Sequence, residues 1–221
     1  MTPTEQADTA FQRARSPEAK AAREQAILDA ARALATRRGI REVTLTDIAD
    51  EVGMHKSAML RYFETREEIF LRLTADGWRE WTPAVCERIL AASSTSGVAA
   101  AFAATLAERG TFCDLLAQAP MNLERNVSVD AVRAFKLTTG ASLDQLVDAT
   151  TATLPGLTRP AAVDLVATAT SLAGTFWQIS TPPPPIAELY RSDPRLGHAL
   201  IDLEPRLRRI LTAYLDGAVK A

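Results

Sequence analysis

Residues 44–70 read TLTDIADEVGMHKSAMLRYFETREEIF. Two helical patterns of roughly two turns each flank Gly53, and a third opens two residues after Phe63. Isolated helices shorter than about 12–15 residues are marginal in water, so both short pieces must be braced by their neighbours. Thr44-x-x-Asp47 has the form of a capping box with the shorter acid, opening a helix that buries Ile48, Ala49 and Val52. Gly53 permits the turn. The next helix is expected over Lys56 to Tyr62, with Met59 and Phe63 on its inner face. At about 100° per residue its opposite face carries Lys56, Ser57, Leu60 and Arg61. That face offers a cation, a hydroxyl, an apolar contact for a thymine methyl and a guanidinium, groups suited to base edges in a major groove. A glycine turn between two short helices, the second presenting such a face, is the helix-turn-helix pattern.

Working outward, Ser16-Pro17-Glu18 starts a preceding helix with a capping serine, a proline at the first position and an acid on the positive end of the dipole. Ile27, Ala30 and Leu34 continue it, and Gly39 closes it as a C′ residue. Thr65-x-x-Glu68 is a full capping box that opens a longer helix through Ile69, Leu73 and Trp78, which Pro83 should kink or end. Beyond residue 85 helical patterns dominate, with breaks at Ser93–Gly97, Ala119–Met121, Leu154–Pro160 and Thr181–Pro185. The run Pro182–Pro185 reads as a stiff extended connector. The most apolar late helices fall at 161–180 and about 203–219. The expectation is an all-α protein of about nine or ten helices: an N-terminal arm (1–15, with Arg13 and Arg15), a three-helix head (16–72) and a larger helical body (73–221).

Composition bounds the function. Of 221 residues, 47% are hydrophobic and 24% charged, which is ordinary globular usage. No run of about 18 apolar residues suggests a membrane span, and the first twenty residues lack the apolar core of a signal peptide. Cys86 and Cys113 are too few for a disulfide framework and read as buried thiols in a cytoplasmic protein. Lys plus Arg is 25 against 27 for Asp plus Glu, a net charge of −2, so any nucleic-acid site must be a local patch. Neither His55, His198 nor the cysteines form a metal-ligand spacing, and no GxSxG, GxGxxG or Walker loop is present. An enzyme with dispersed catalytic residues is therefore the weaker alternative; no cofactor or metal is implied.

The stretch from 44 to 70, with the helix before it, resembles the DNA-binding head of TetR-family transcriptional repressors, whose pattern runs roughly T-x-x-D-I-A-x-x-x-G-V-S-x-x-x-L-Y-x-Y-F-x-x-K-E-E-L. The resemblance covers about residues 20–72, a third of the chain. It implies that Thr46, Lys56, Ser57 and Leu60 face bases while Thr44, Arg61, Tyr62 and Arg66 contact phosphates. Three positions depart from the pattern. Leu60 replaces a tyrosine and Arg66 a lysine. His55 replaces a serine, where it caps the helix, touches phosphate or does neither. For residues 75–221 the resemblance implies an effector-binding and dimerising domain. A small apolar or amphipathic effector is expected among Trp78, Trp81, Phe102, Phe112, Gln118, Met121, Asn122, Phe135 and Trp177, although aromatics at helical spacing are more often core. Stripes of Leu165, Leu172 and Phe176, and of Leu207, Leu211 and Tyr214, together with the small residues of ATATSLAG, suggest a homodimer interface; capping of the monomer's own core is the alternative. A two-fold dimer would place two reading helices about 34–36 Å apart on a near-palindromic double-stranded operator. A helix-turn-helix used only for protein contacts is the remaining alternative, favoured by the acidic balance and opposed by Lys56, Arg61 and Arg66.

Overall fold

The computed structural model describes residues 17–219. Among these are ten α-helices and no strand, as the patterning predicts. Helices α1 (Pro17–Arg38), α2 (Leu45–Glu51) and α3 (Lys56–Met59) form the head, and α4 (Arg66–Leu90) leads from it into the body. The body comprises α5 (Thr95–Ala107), α6 (Gly110–Gln118), α7 (Val129–Thr153), α8 (Arg159–Ser180), α9 (Pro184–Ser192) and α10 (Leu203–Ala218). Short 3-10 turns lie at Ile40–Glu42, Leu123–Arg125 and Pro194–Ala199. The arm at 1–15 and the capping Ser16 lie outside the described residues.

In the body α4 packs along α7 and α5, α6 packs on α8, and α10 lies across α5 and α8. Capping hydroxyls start these helices as their sequences require: Ser94, Ser128 and Thr158 each accept the backbone N–H three residues on. The helices α6 and α8 approach closely at Gly174, where a Cβ would lie 2.9 Å from the Ala117 backbone nitrogen. Gly174, the last residue of ATATSLAG, thus serves a contact inside one chain.

Two proline expectations are corrected. Pro83 does not end α4, since the helix runs on to Leu90. Pro83 and Arg79, whose carbonyl loses its donor, both sit on the exposed side, where water can replace the missing bond. The proline run is not wholly extended either. Pro184 and Pro185 form the first turn of α9, where backbone N–H groups have no intrahelical acceptor and a fixed φ suits the helix.

A buried carboxylate joins head to body. Asp114, 7% exposed on α6, accepts the Ile40 N–H at 2.9 Å through Oδ2 and the Gln178 amide at 2.7 Å through Oδ1. Its neighbour Cys113 is a buried free thiol, pushed up to about 12 by burial and by the Asp114 charge. Asp114→Ala strands two donors and should cost about 1–3 kcal/mol of stability in urea unfolding. Asp114→Asn, which keeps an acceptor for Ile40, should lose less.

Candidate nucleic-acid interface

The short helices are held as the sequence demands. Thr44 caps α2: its Oγ1 accepts the Asp47 N–H at 3.1 Å, and Asp47 Oδ2 accepts the Thr44 N–H at 2.8 Å and its hydroxyl at 2.6 Å. These bonds, the Thr44 hydroxyl first, hold the Asp47 carboxyl below the usual carboxylate range, with Arg38 adding its charge. The far end of α2 closes as a Schellman motif. Met54 N–H reaches the Ala49 carbonyl, Gly53 N–H reaches that of Asp50, and Gly53 adopts φ 63°. Ion pairs Arg37–Glu51 (3.1 Å) and Arg38–Asp47 (3.3 Å) tie α2 to the end of α1.

His55 caps α3, its Nδ1 accepting the Ser57 N–H at 3.3 Å and lying 2.8 Å from the Ser57 hydroxyl. The α-helix itself is shorter than the expected Lys56–Tyr62. After Met59 the chain tightens, with Arg61 N–H on Ala58 and Tyr62 N–H on Met59, the narrower winding common at helix ends. Sidedness survives this tightening. Met59 and Phe63 are buried while Lys56, Ser57, Arg61 and the half-exposed Leu60 face outward. Lys56 and Arg61 have no ion-pair partner among the described residues. Thr46 is exposed and Tyr62 half-buried against the core.

Arg66 requires a correction. In place of the expected outward cation, its side chain is only 16% exposed. The guanidinium donates to the backbone carbonyls of Val43 and Ile40, pairs with Glu67 at 2.9 Å and stacks 4.6 Å from the Phe70 ring. Thr44 is likewise occupied, its hydroxyl bonded within the cap. Asp114, which holds the same turn from the other side, escaped the sequence reading; its signal was a lone acid within the apolar run TFCDLLA.

The candidate ligand residues do not converge. Trp78, Trp81, Phe102 and Phe112 form one buried cluster with ring centroids 5.5–6.0 Å apart, and Trp81 Nε1 donates to Thr105 Oγ1 at 2.9 Å. Those rings are core. Phe135 instead lines a cavity of about 310 Å³ between α4 and α7. Trp177 lines a groove of about 820 Å³ beside Asp114 and Gln178. Met121 is 74% exposed, Gln118 half-buried at the end of α6, and Asn122 bonded to Asn126 in the following loop. The expected interface stripes are also used within the chain: Leu165, Leu207 and Leu211 are fully buried and Phe176 nearly so. Leu172 and Tyr214 are half-buried, and the Tyr214 hydroxyl donates to the Ala161 carbonyl, joining α10 to α8.

Residues 27–73 match the model for bacterial regulatory proteins of the tetR family, and residues 75–221 match the tetracyclin repressor-like C-terminal domain. The chain belongs to the TetR family of transcriptional regulators. It is thus a DNA-binding protein with a helix-turn-helix head. Similar folds include the fatty acid degradation regulator FadR from Bacillus halodurans (12% identity, 87% of this chain and 98% of that one, TM-score 0.56). A tetR-family regulator from Rhodococcus RHA1 aligns at 15% identity over 89% and 95%, with TM-score 0.53. FadR from Bacillus subtilis, in complex with stearoyl-CoA, aligns at 14% identity over 86% and 98%, also with TM-score 0.53. A search of curated proteins finds no match. Among the described residues no helix is long and apolar enough to cross a membrane.

Two outcomes follow for this TetR-family head. Arg66→Ala should lower melting stability by about 1–3 kcal/mol by stripping two carbonyls of their donor, whereas Lys56→Ala should leave the melt unchanged. Because the Asp47 carboxyl is depressed in the folded state, its cap is fully formed above the ordinary value of 3.8 and is lost as pH falls through the lower folded value. Amide shifts of residues 44–47 should therefore titrate with a midpoint below 3.8, and Asp47→Asn should abolish that titration.

Proposed function

We propose that the chain is a cytoplasmic homodimeric repressor whose Lys56–Tyr62 segment reads a near-palindromic DNA operator and whose DNA complex is released by a small apolar or amphipathic effector. The observation that supports it is the outward face of that segment: Lys56, Leu60 and Arg61 exposed over buried Met59 and Phe63. Thr46, Lys56, Ser57 and Leu60 take the base-facing role, with the Ser57 hydroxyl steered by His55. Arg61 and Tyr62 take phosphate, Thr44 contributes through its position at the α2 cap, and Arg66 is withdrawn from the set. The boundary between reading head and responding body falls near residue 72, within α4.

Dimerisation is assigned to the outer face of α8, where Val163, Ala167 and Ser171 are exposed at i, i+4 and i+8, because the inner stripes are already occupied. Two heads are needed since one short reading segment contacts too few base pairs to be selective. An amphipathic effector is supported by the stearoyl-CoA bound to the regulator from Bacillus subtilis, which has this fold.

Selection of duplexes from a random pool, followed by titration at several salt concentrations, tests this reading. Affinity should fall steeply with salt through counterion release. Arg61→Ala should weaken every duplex and flatten the salt slope by about 1 per head, while Lys56→Ala should narrow the preference for the selected site by about 1–3 kcal/mol. A salt-insensitive interaction, or a monomer in sedimentation at the binding concentration, would overturn it.

A further inference from the structure

The cavity of about 310 Å³ between α4 and α7 lies where head meets body, and its size is at the lower end for small-molecule sites. Two helical faces build it: Glu68, Leu71, Arg72, Ala75 and Arg79 from α4, and Ala131, Ala134, Phe135 and Thr138 from α7. Phe63, the residue that follows the reading segment, completes the lining. The floor is therefore apolar and includes Phe63, Leu71, Ala75 and Phe135, all nearly inaccessible to water. The rim is polar and contains one cation left over.

That surplus has a local cause. Glu68 and Arg72 stand at i and i+4, the spacing at which a glutamate normally pairs with a following cation. Here Glu68 Oε2 instead accepts the Glu64 N–H at 2.6 Å, serving the start of α4. Arg79 is satisfied by Asp76 at 2.7 Å and by the Thr138 hydroxyl at 3.0 Å. Arg72 is exposed and has neither an ion-pair nor a hydrogen-bond partner among the described residues. An apolar pocket with a single unpaired guanidinium at its mouth is complementary to an anion that carries an apolar body.

We propose that this junction cavity is the effector site, that its ligand is a small amphipathic carboxylate, and that Arg72 selects the head group. The proposal rests on the reading of the chain as an effector-released regulator and fixes where and by what chemistry release begins. A ligand body seated on Phe63 and Phe135 contacts the head and α7 together. It favours whichever spacing of the two gives it more contact, and only that difference in affinity moves the head.

Calorimetric titration of the full chain with decanoate and 1-naphthoate, and with the uncharged decan-1-ol and 1-naphthol, tests it. The carboxylates should bind at least about tenfold more tightly than their neutral counterparts, the scale of one charge-assisted hydrogen bond. Arg72→Gln should bring each carboxylate down to the level of its neutral partner. Ala134→Trp, which fills the cavity from its exposed side, should abolish binding of all four. Both positions are on the surface, so an unchanged melt certifies each variant. Equal affinity for acid and neutral analogue, indifference to Arg72→Gln, or no binding by any probe would overturn the proposal. Salt-dependent duplex binding measured in parallel separates the two readings: its presence without probe binding sinks the cavity alone, and its absence sinks the regulator mechanism.

Discussion

The turn from Gly39 to Val43 is gripped from two directions, and the position of the head depends on that grip. Asp114 of α6 takes the Ile40 N–H, while Arg66 at the start of α4 donates to the carbonyls of Ile40 and Val43. A carboxylate and a guanidinium thus satisfy opposite ends of the same short stretch. Both are largely removed from water, where an unmade bond is expensive and a made one directional. Because Gln178 of α8 holds the second oxygen of Asp114, the head is referenced to three body helices. A reference of this kind fixes the orientation of the helix-turn-helix relative to the body.

The reading segment shows how little intrinsic stability such an element needs. Only Lys56–Met59 is helical, a length with negligible stability alone. Order is imposed from outside by the Schellman turn at Gly53, the His55 cap and the insertion of Met59 and Phe63 into the core. The capped α2 supplies the surface on which this happens. None of these devices uses the outward side chains, which are left free to contact something else.

Legibility in the sequence followed the range of the interactions. Capping boxes, the glycine turn, α2 and the boundaries of α8 and α10 were readable because each is decided within a few residues. The Thr65 box was right in position, although Glu68 closes on Glu64 and not on Thr65 itself. What failed was decided at long range or by exposure. Arg66 reads as a surface cation until the carbonyls 23 and 26 residues earlier are known to face it. Asp114 bonds a backbone group 74 residues away. The aromatic residues read equally well as core or pocket, and only their packing sorted Trp78, Trp81, Phe102 and Phe112 from Phe135 and Trp177. That α4 continues past Pro83 depends on whether water reaches the orphaned carbonyl, which no local pattern encodes.

A chain of net charge −2 that binds DNA must separate its charges in space. From Val52 to Phe63 there is no aspartate or glutamate, while Lys56 and Arg61 lie in that window. Of the acids just before it, Glu51 pairs with Arg37 and Asp47 with Arg38, while Asp50 stays exposed. Beyond it, Glu64 is exposed, Glu67 is paired with Arg66 and Glu68 is turned onto the backbone. Screening at physiological salt confines a surface charge to about 8 Å, so the acidic remainder of the body has little reach to the duplex. Within this stretch the cations without an acidic partner among the described residues, Lys56 and Arg61, lie on the outward face of the reading segment. The same sorting, by directing Glu68 away from Arg72, leaves a further unpaired cation at the mouth of the junction cavity between α4 and α7.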